Sequence, residues 1–206
     1  MEIVVTGGTG FVGRAVVTEL AARNLAVRCV IRRGTADRLP VVDGLEVAET
    51  DDLFACDHLW WVDVLANTDL VIHLAWYTGP GHYLTDPRNL DCLIGSLEMG
   101  RGAIKAGPKR FVGVGTCFEY DLRQGCLMPD GQIHNCLGIR DGAQMLVDDA
   151  LSGLENPTNI SSGYGVTVGA MAEQIADQYE RRDLLNFGAR ADNRTDPPCV
   201  VGLRPS

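Results

Sequence analysis

No apolar run in this chain approaches the roughly 18 residues that a membrane-spanning helix requires, so no span is expected. Basic residues are also scarce. Eighteen Lys and Arg stand against 27 Asp and Glu, a formal charge of -9, and the lysines are confined to Lys105 and Lys109. The arginines pair (Arg32-Arg33, Arg181-Arg182) without forming stripes, so duplex nucleic acid and anionic membrane surfaces meet net repulsion and are excluded as partners. A small anionic ligand is not excluded, because helix termini and single arginines can hold one at any net charge. The seven cysteines (29, 56, 92, 117, 126, 136, 199) include no C-x-x-C pair, so no metal site is expected. Their odd count, and the strand-like Glu2-Ile3-Val4-Val5 directly after Met1 in place of a secretory leader, favour a reducing cytoplasm.

What is present suits a packed globular protein: 46% hydrophobic residues and 24 glycines in 206 residues, enough for one domain or a domain with a small appendage. Ile3-Val4-Val5 reads as a buried parallel strand, and from Phe11 the apolar residues Val12, Ala15, Val16 and Leu20 take up a helical stripe. Strands are expected at Leu25 to Ile31, Leu45 to Ala48, Asp69 to Ala75 and Arg110 to Gly115. Helices are expected around Trp61 to Leu65 and from Asn89 to Ala106, the latter stopped by Gly107-Pro108. This alternation predicts an α/β fold of the Rossmann type, a doubly wound parallel sheet with helices on both faces. Beyond Tyr120 come turn-rich residues, a helix from Ile139 to Leu151, a short strand at Thr158-Asn159-Ile160 and a helix from Val168 to Tyr179, together a small C-terminal α/β region.

Chemistry concentrates in Thr6-Gly7-Gly8-Thr9-Gly10-Phe11-Val12-Gly13, a G-x-x-G-x-x-G loop set between a strand and a helix. Gly7 permits the tight turn, Gly10 lets the backbone approach a pyrophosphate, and Gly13 allows close packing of the helix. The diphosphate would then face free N–H groups and the positive end of the helix dipole. The next chain landmark bears on which dinucleotide is held. NAD binders usually place Asp or Glu at the end of the second strand, about 20 residues after the loop. This chain has Arg32-Arg33, which favours the 2′-phosphate of NADP, with NAD as the alternative.

These residues resemble the extended short-chain dehydrogenase/reductase family, in its nucleotide-sugar epimerase/dehydratase branch. The likeness runs from Met1 to about Tyr120 and again from Ile139 to about Tyr179. It implies a dinucleotide site made of Gly7, Thr9, Gly10, Phe11, Val12, Gly13, Arg32 and Arg33. Asp52-Leu53 would lie against adenine, and Leu74, Ala75 and Trp76 near the nicotinamide ribose, at the end of Val71-Ile72-His73-Leu74-Ala75. It also implies a nucleotide-sugar substrate, with Asn159-Ile160-Ser161-Ser162-Gly163 closing over it, and a homodimer formed through the long helix from Asn89 to Ala106. Thr116, in Gly115-Thr116-Cys117-Phe118-Glu119-Tyr120, matches the family's Ser/Thr that hydrogen-bonds the substrate oxygen; Tyr120 matches a tyrosine that is usually structural.

The departures matter as much. The family's proton-transferring Tyr, with a Lys four residues later, should follow Thr116, yet no Tyr-x-x-x-Lys occurs anywhere in the chain. Without that pair the general acid/base is missing. Cys92 stands where relatives usually have Asn, His134-Asn135-Cys136 occupies what resembles an Arg-Asp-Phe step, and Phe118 replaces the acid kept by the dehydratases, so reduction or epimerisation is favoured over dehydration. His73 is read as a packed strand residue. The chain divides in this reading into an incomplete NAD(P)-binding domain (1–128) and a remnant of the substrate-binding region (129–206). Two functions remain open: an NAD(P)-dependent nucleotide-sugar oxidoreductase or epimerase lacking its central segment, and a non-catalytic NADP(H)-binding protein, either a decayed paralogue or a redox-sensing partner.

Overall fold

The computed structural model describes residues 1–79, 83–116, 133–189 and 199–204. Five strands, β1 (Glu2–Thr6), β2 (Ala26–Arg32), β3 (Glu46–Thr50), β4 (Leu70–His73) and β5 (Arg110–Gly113), pair in parallel in the order β3-β2-β1-β4-β5. This is the Rossmann-type doubly wound order, and its reversal point lies between β1 and β4, where Thr6 stands beside His73. The central strands are apolar on both faces, as burial on both faces demands: Ile3, Val4, Val5, Val71 and Ile72 are all fully buried.

Successive strand residues point to opposite faces. On one face Val4, Val30 and Val71 pack with Trp61, Leu65, Met99 and Ala103, which come from α2 (His58–Val64), the residue after it, and α3 (Arg88–Ala106). On the other, α1 (Phe11–Ala22) buries Val16, Val17 and Leu20. Each such aliphatic side chain contributes roughly 1.5–3 kcal/mol over an exposed one. Gly95 and Gly102 of α3 let it approach closely: a Cβ at Gly102 would stand 2.4 Å from the Trp61 Cβ. The helix ends as its sequence predicts, Gly107 taking a φ of +79° at the C-cap and donating its N–H to the Ala103 carbonyl.

The residues form two compact units, Met1–Val114 with Ala143–Leu154, and Gly115–Gly142 with Glu155–Ser206. The boundary expected at 128 lies outside the described residues. Helix α4 (Ile139–Leu151) begins in the second unit and ends in the first. There Arg23 of α1 reaches Asp148 at 2.7 Å, and the Arg110 guanidinium donates to the carbonyls of Asp149, Ser152 and Leu154, at and just beyond the helix end.

In the second unit β6 (Ile133–His134) runs antiparallel to β7 (Val166–Thr167) and parallel to β8 (Cys199–Val200), and α5 (Val168–Gln178) follows. This supplies the small α/β region, but not where the sequence put its strand. Thr158-Asn159-Ile160 is not a strand. Its backbone course is held by side chains: the Asn159 amide donates to the Leu203 carbonyl at 2.9 Å, and Ser161 to that of Gly202. In the first unit the strand expected to run to Ala75 stops at His73, and the one expected to run to Gly115 stops at Gly113.

Candidate functional site

The glycine loop leaves the C-terminal end of β1 at the sheet's reversal point, the position at which open α/β sheets bind ligands. Gly7 adopts a φ of +74°, and a Cβ there would lie 2.9 Å from the Ala75 nitrogen and 3.0 Å from the Leu74 carbonyl carbon. Both the turn and the close passage of the segment after β4 therefore need glycine. The turn closes by a bond from Gly10 N–H to the Gly7 carbonyl (3.0 Å). Gly13 then abuts the turn itself: a Cβ would come within 2.0 Å of the Gly7 oxygen and 2.8 Å of the Gly8 Cα. Close packing was expected here, and the neighbour it packs against is the loop backbone.

Helix α1 starts without a side-chain cap, since its N-cap residue is Gly10. Arg14 N–H, bonded to the Gly10 carbonyl at 3.0 Å, follows three amides, those of Phe11, Val12 and Gly13, that helix geometry leaves without internal acceptors. Phe11 is 78% exposed and Val12 is exposed beside it, so this end of the helix is open. A row of free donors at the positive end of a twelve-residue helix fits a diphosphate, as does the space kept by glycines on three sides.

The remaining sequence-derived residues fall into place unevenly. Leu74 and Ala75 flank Gly7 directly. Trp76 is 44% exposed, with its indole N–H donating to the Asn89 Oδ1 (2.8 Å) and its ring edge-on to Phe54. Asp52 caps the short 3-10 turn Leu53–Ala55, its carboxylate accepting from Phe54 N–H at 3.0 Å, and Leu53 is half-buried against the core. Arg32 and Arg33 are both exposed at the end of β2, but only Arg33 is engaged, its Nε 2.9 Å from Asp51 Oδ1 across the β2–β3 register. Among the described residues no carboxylate pairs with Arg32. Thr9 is half-buried in the loop. Thr116 is exposed and belongs to the second unit. Phe118 and Tyr120 lie outside the described residues.

Two features escaped the sequence reading. Gly8 is crowded by side chains where Gly7 and Gly13 are crowded by backbone: a Cβ there would sit 2.9 Å from the Cys29 sulfur, whose burial pushes its pKa up to about 12 and keeps it inert. His73 is 7% exposed, with its pKa pulled down to about 4 by burial, and both its nitrogens are engaged: Nδ1 lies 2.7 Å from Thr6 Oγ1 and Nε2 2.9 Å from Ser96 Oγ. A packed strand histidine was expected; its partners, 67 and 23 residues away in sequence, were not visible there.

The model of one family, the NAD dependent epimerase/dehydratase family, matches residues 3–184. The chain belongs to that family. The chain is also similar to a curated protein, the dTDP-6-deoxy-L-talose 4-dehydrogenase (NAD(+)) of Aggregatibacter actinomycetemcomitans, 29% identical over 119 residues. That match covers 58% of this chain and 43% of the relative, so the chain spans less than half of the length of that curated protein. Among solved structures, the Bordetella bronchiseptica enzyme WbmH in complex with NAD+ aligns with a TM-score of 0.77 at 15% identity, over 98% of this chain and 89% of that one. UDP-glucose 4-epimerase from Thermotoga maritima, solved with UDP-glucose, aligns with a TM-score of 0.75 at 16% identity, over 99% and 90%. At such identities these two show the fold alone. Within this family frame, Cys92 is a buried residue of α3.

Proposed function

We propose that the first unit binds a nicotinamide dinucleotide, NADP in preference to NAD, and that the chain by itself does not turn over a nucleotide-sugar. The observation that carries the binding is the cradle at Gly7, Gly10 and Gly13, in which Cβ atoms added at Gly7 and Gly13 would strike backbone and one at Gly10 would crowd the Gly7 oxygen at 3.2 Å, and which opens onto the amides of Phe11, Val12 and Gly13. Amide bonds to a charged phosphate contribute about 1.5–3 kcal/mol each before desolvation. Leu74, Ala75 and Trp76 would border the nicotinamide ribose, and Asp52 with Leu53 the adenine. Arg32, which no carboxylate pairs with among the described residues, supports NADP: such a guanidinium suits a 2′-phosphate, whereas Arg33 is already held by Asp51. The Aggregatibacter dehydrogenase is named for NAD(+) and the WbmH structure is a complex with NAD+, which keeps NAD as the comparison ligand.

When bound, the dinucleotide supplies hydride exchange with a sugar carbon. Toward such a substrate, a nucleotide-sugar by the relatives' chemistry, this chain would offer Thr116 as a hydrogen-bond donor to the reacting oxygen, for reduction or epimerisation. It offers no Tyr-x-x-x-Lys to move the proton, so turnover by this chain alone is not expected. A non-catalytic NADP(H)-binding role is the second reading, favoured by the same missing pair. The exposed stripe Leu90, Leu93, Ile94 and Leu97 on α3, at helical spacing, supports a homodimer in either reading. Calorimetric titration with NADP+ and with NAD+ tests the binding. NADPH oxidation with a 4-keto nucleotide-sugar tests the rest: measurable turnover would overturn the claim of incompetence, and absence of heat with both dinucleotides would overturn the binding.

A further inference from the structure

We propose that His73 is a positioning residue for the dinucleotide loop, acting as the middle member of a directional hydrogen-bond chain that holds the Leu74–Ala75 backbone against Gly7. The inference rests on the dinucleotide-binding reading for its functional part; the chain of bonds itself does not.

The direction of each bond follows from the proton count. Ser96 Oγ donates to the Cys92 carbonyl, one turn back along α3, at 2.7 Å. Having a single proton, it can only accept from His73 Nε2, which therefore carries the hydrogen. In a neutral imidazole Nδ1 is then a bare acceptor, and the Thr6 hydroxyl, 2.7 Å away, must donate to it. That leaves the Thr6 oxygen lone pairs for the Ala75 N–H, which donates to it at 3.2 Å. The chain thus reads from Ala75 N–H through Thr6 and His73 to Ser96 and the Cys92 carbonyl, and it joins three elements, β1, β4 and α3. Every proton has an acceptor, and Thr6 is fully buried, so no water competes.

What this chain holds is the segment that Gly7 touches. The position of a Gly7 Cβ lies 2.9 Å from the Ala75 nitrogen and 3.1 Å from its Cα, so the seat of Ala75 sets one wall of the loop. The Phe54 and Phe111 rings lie beside the imidazole, with centroids 6.4 and 6.2 Å from its own. A hydroxyl at position 6 and an imidazole at position 73 are therefore matched to each other. Neither touches the diphosphate; both act through Ala75.

Nitrogen-15 spectra of histidine-labelled protein at pH 7 read the tautomer directly. The expected result is a neutral His73 protonated on Nε2; a proton on Nδ1, or an imidazolium, overturns the chain of bonds. Thr6→Val keeps the shape and removes the hydroxyl, and should weaken NADP+ binding by tenfold or more, shift His73 toward a mixture of tautomers and speed hydrogen exchange at the Ala75 amide. Thr6→Ser should restore affinity to within threefold and restore the Nε2–H spectrum. Wild-type affinity in Thr6→Val overturns the positioning role. If Thr6→Val does not fold, the tautomer and the protection of the Ala75 amide in the unaltered protein still decide the matter, an unprotected amide counting against it. Failure of the unaltered protein to bind either dinucleotide would sink the cofactor reading, and the spectrum would still confirm or refute the bonding.

Discussion

Replacing Gly13 by alanine separates the cradle from an ordinary helix start. In a helix, Gly→Ala normally gains about 0.8–1 kcal/mol from backbone entropy. At position 13 the new methyl would stand 2.0 Å from the Gly7 oxygen, 2.7 Å from its carbon and 2.8 Å from the Gly8 Cα. Unstrained C···O contacts begin near 3.3 Å, so the loop and the helix must part by about 1.3 Å. The obstacles are backbone, which cannot rotate away, and this puts the overpacking cost at the upper end of roughly 1–3 kcal/mol. The net is a loss of about 2 kcal/mol. Displacing the Gly7 carbonyl also moves the amides that would face the diphosphate, and losing one such bond, about 1.5–3 kcal/mol, weakens binding tenfold or more. The control is Gly100→Ala in α3, where nothing lies within 4 Å of the added atom and the ordinary gain of about 1 kcal/mol is expected. Urea denaturation reads the stabilities and calorimetry the affinities. If Gly13→Ala gains stability as Gly100→Ala does, or binds NADP+ as tightly as the parent, the reasoning is refuted.

Other consequences can be measured on the same protein. Because burial lowers the His73 pKa from 6.5 to about 4, the unfolded state takes up a proton between those values that the folded state refuses. Stability should be intact above pH 6.5 and fall by roughly 3 kcal/mol as pH drops to 4, with a His73→Gln variant showing a flatter profile over that window; an unchanged slope would deny the histidine its part. Arg32→Ala should weaken NADP+ binding about tenfold, the lower end for an exposed charge-assisted contact, and leave NAD+ within twofold. Arg33→Ala should do less, since Arg33 is paired with Asp51; equal effects on both ligands would remove the case for a 2′-phosphate. Leu93→Asp with Leu97→Asp should convert a dimer to a monomer in sedimentation, and a parent protein that is monomeric at high concentration would contradict the stripe's role.

What could be read from the sequence was what is local. The loop from Thr6 to Gly13 announced itself because strand, turn and helix are contiguous, and the close neighbours of Gly10 and Gly13 lie within the loop itself. The stop of α3 at Gly107, the helix from Ile139 to Leu151 and the parallel alternation of the first five strands followed for the same reason. What escaped depends on partners far apart in the chain. Thr6 meets His73 only because β1 and β4 are neighbours in register, and Arg33 loses its freedom to Asp51 only because β2 pairs with β3. The sulfur that a Cβ at Gly8 would meet belongs to Cys29, a residue of the next strand. In the second unit the strands are two residues long, too short for any periodicity, and the Thr158-Asn159-Ile160 segment looked like a strand because its side-chain bonds to 202 and 203 are invisible in composition.

The most direct measurement is an amide chemical-shift titration with NADP+, read at the first turn of α1. The account predicts that the N–H signals of Gly10, Phe11, Val12 and Gly13 move first and furthest, with Ala75 close behind and the amides of α5 still. Saturating dinucleotide that leaves those signals in place, or moves only residues elsewhere, would contradict it.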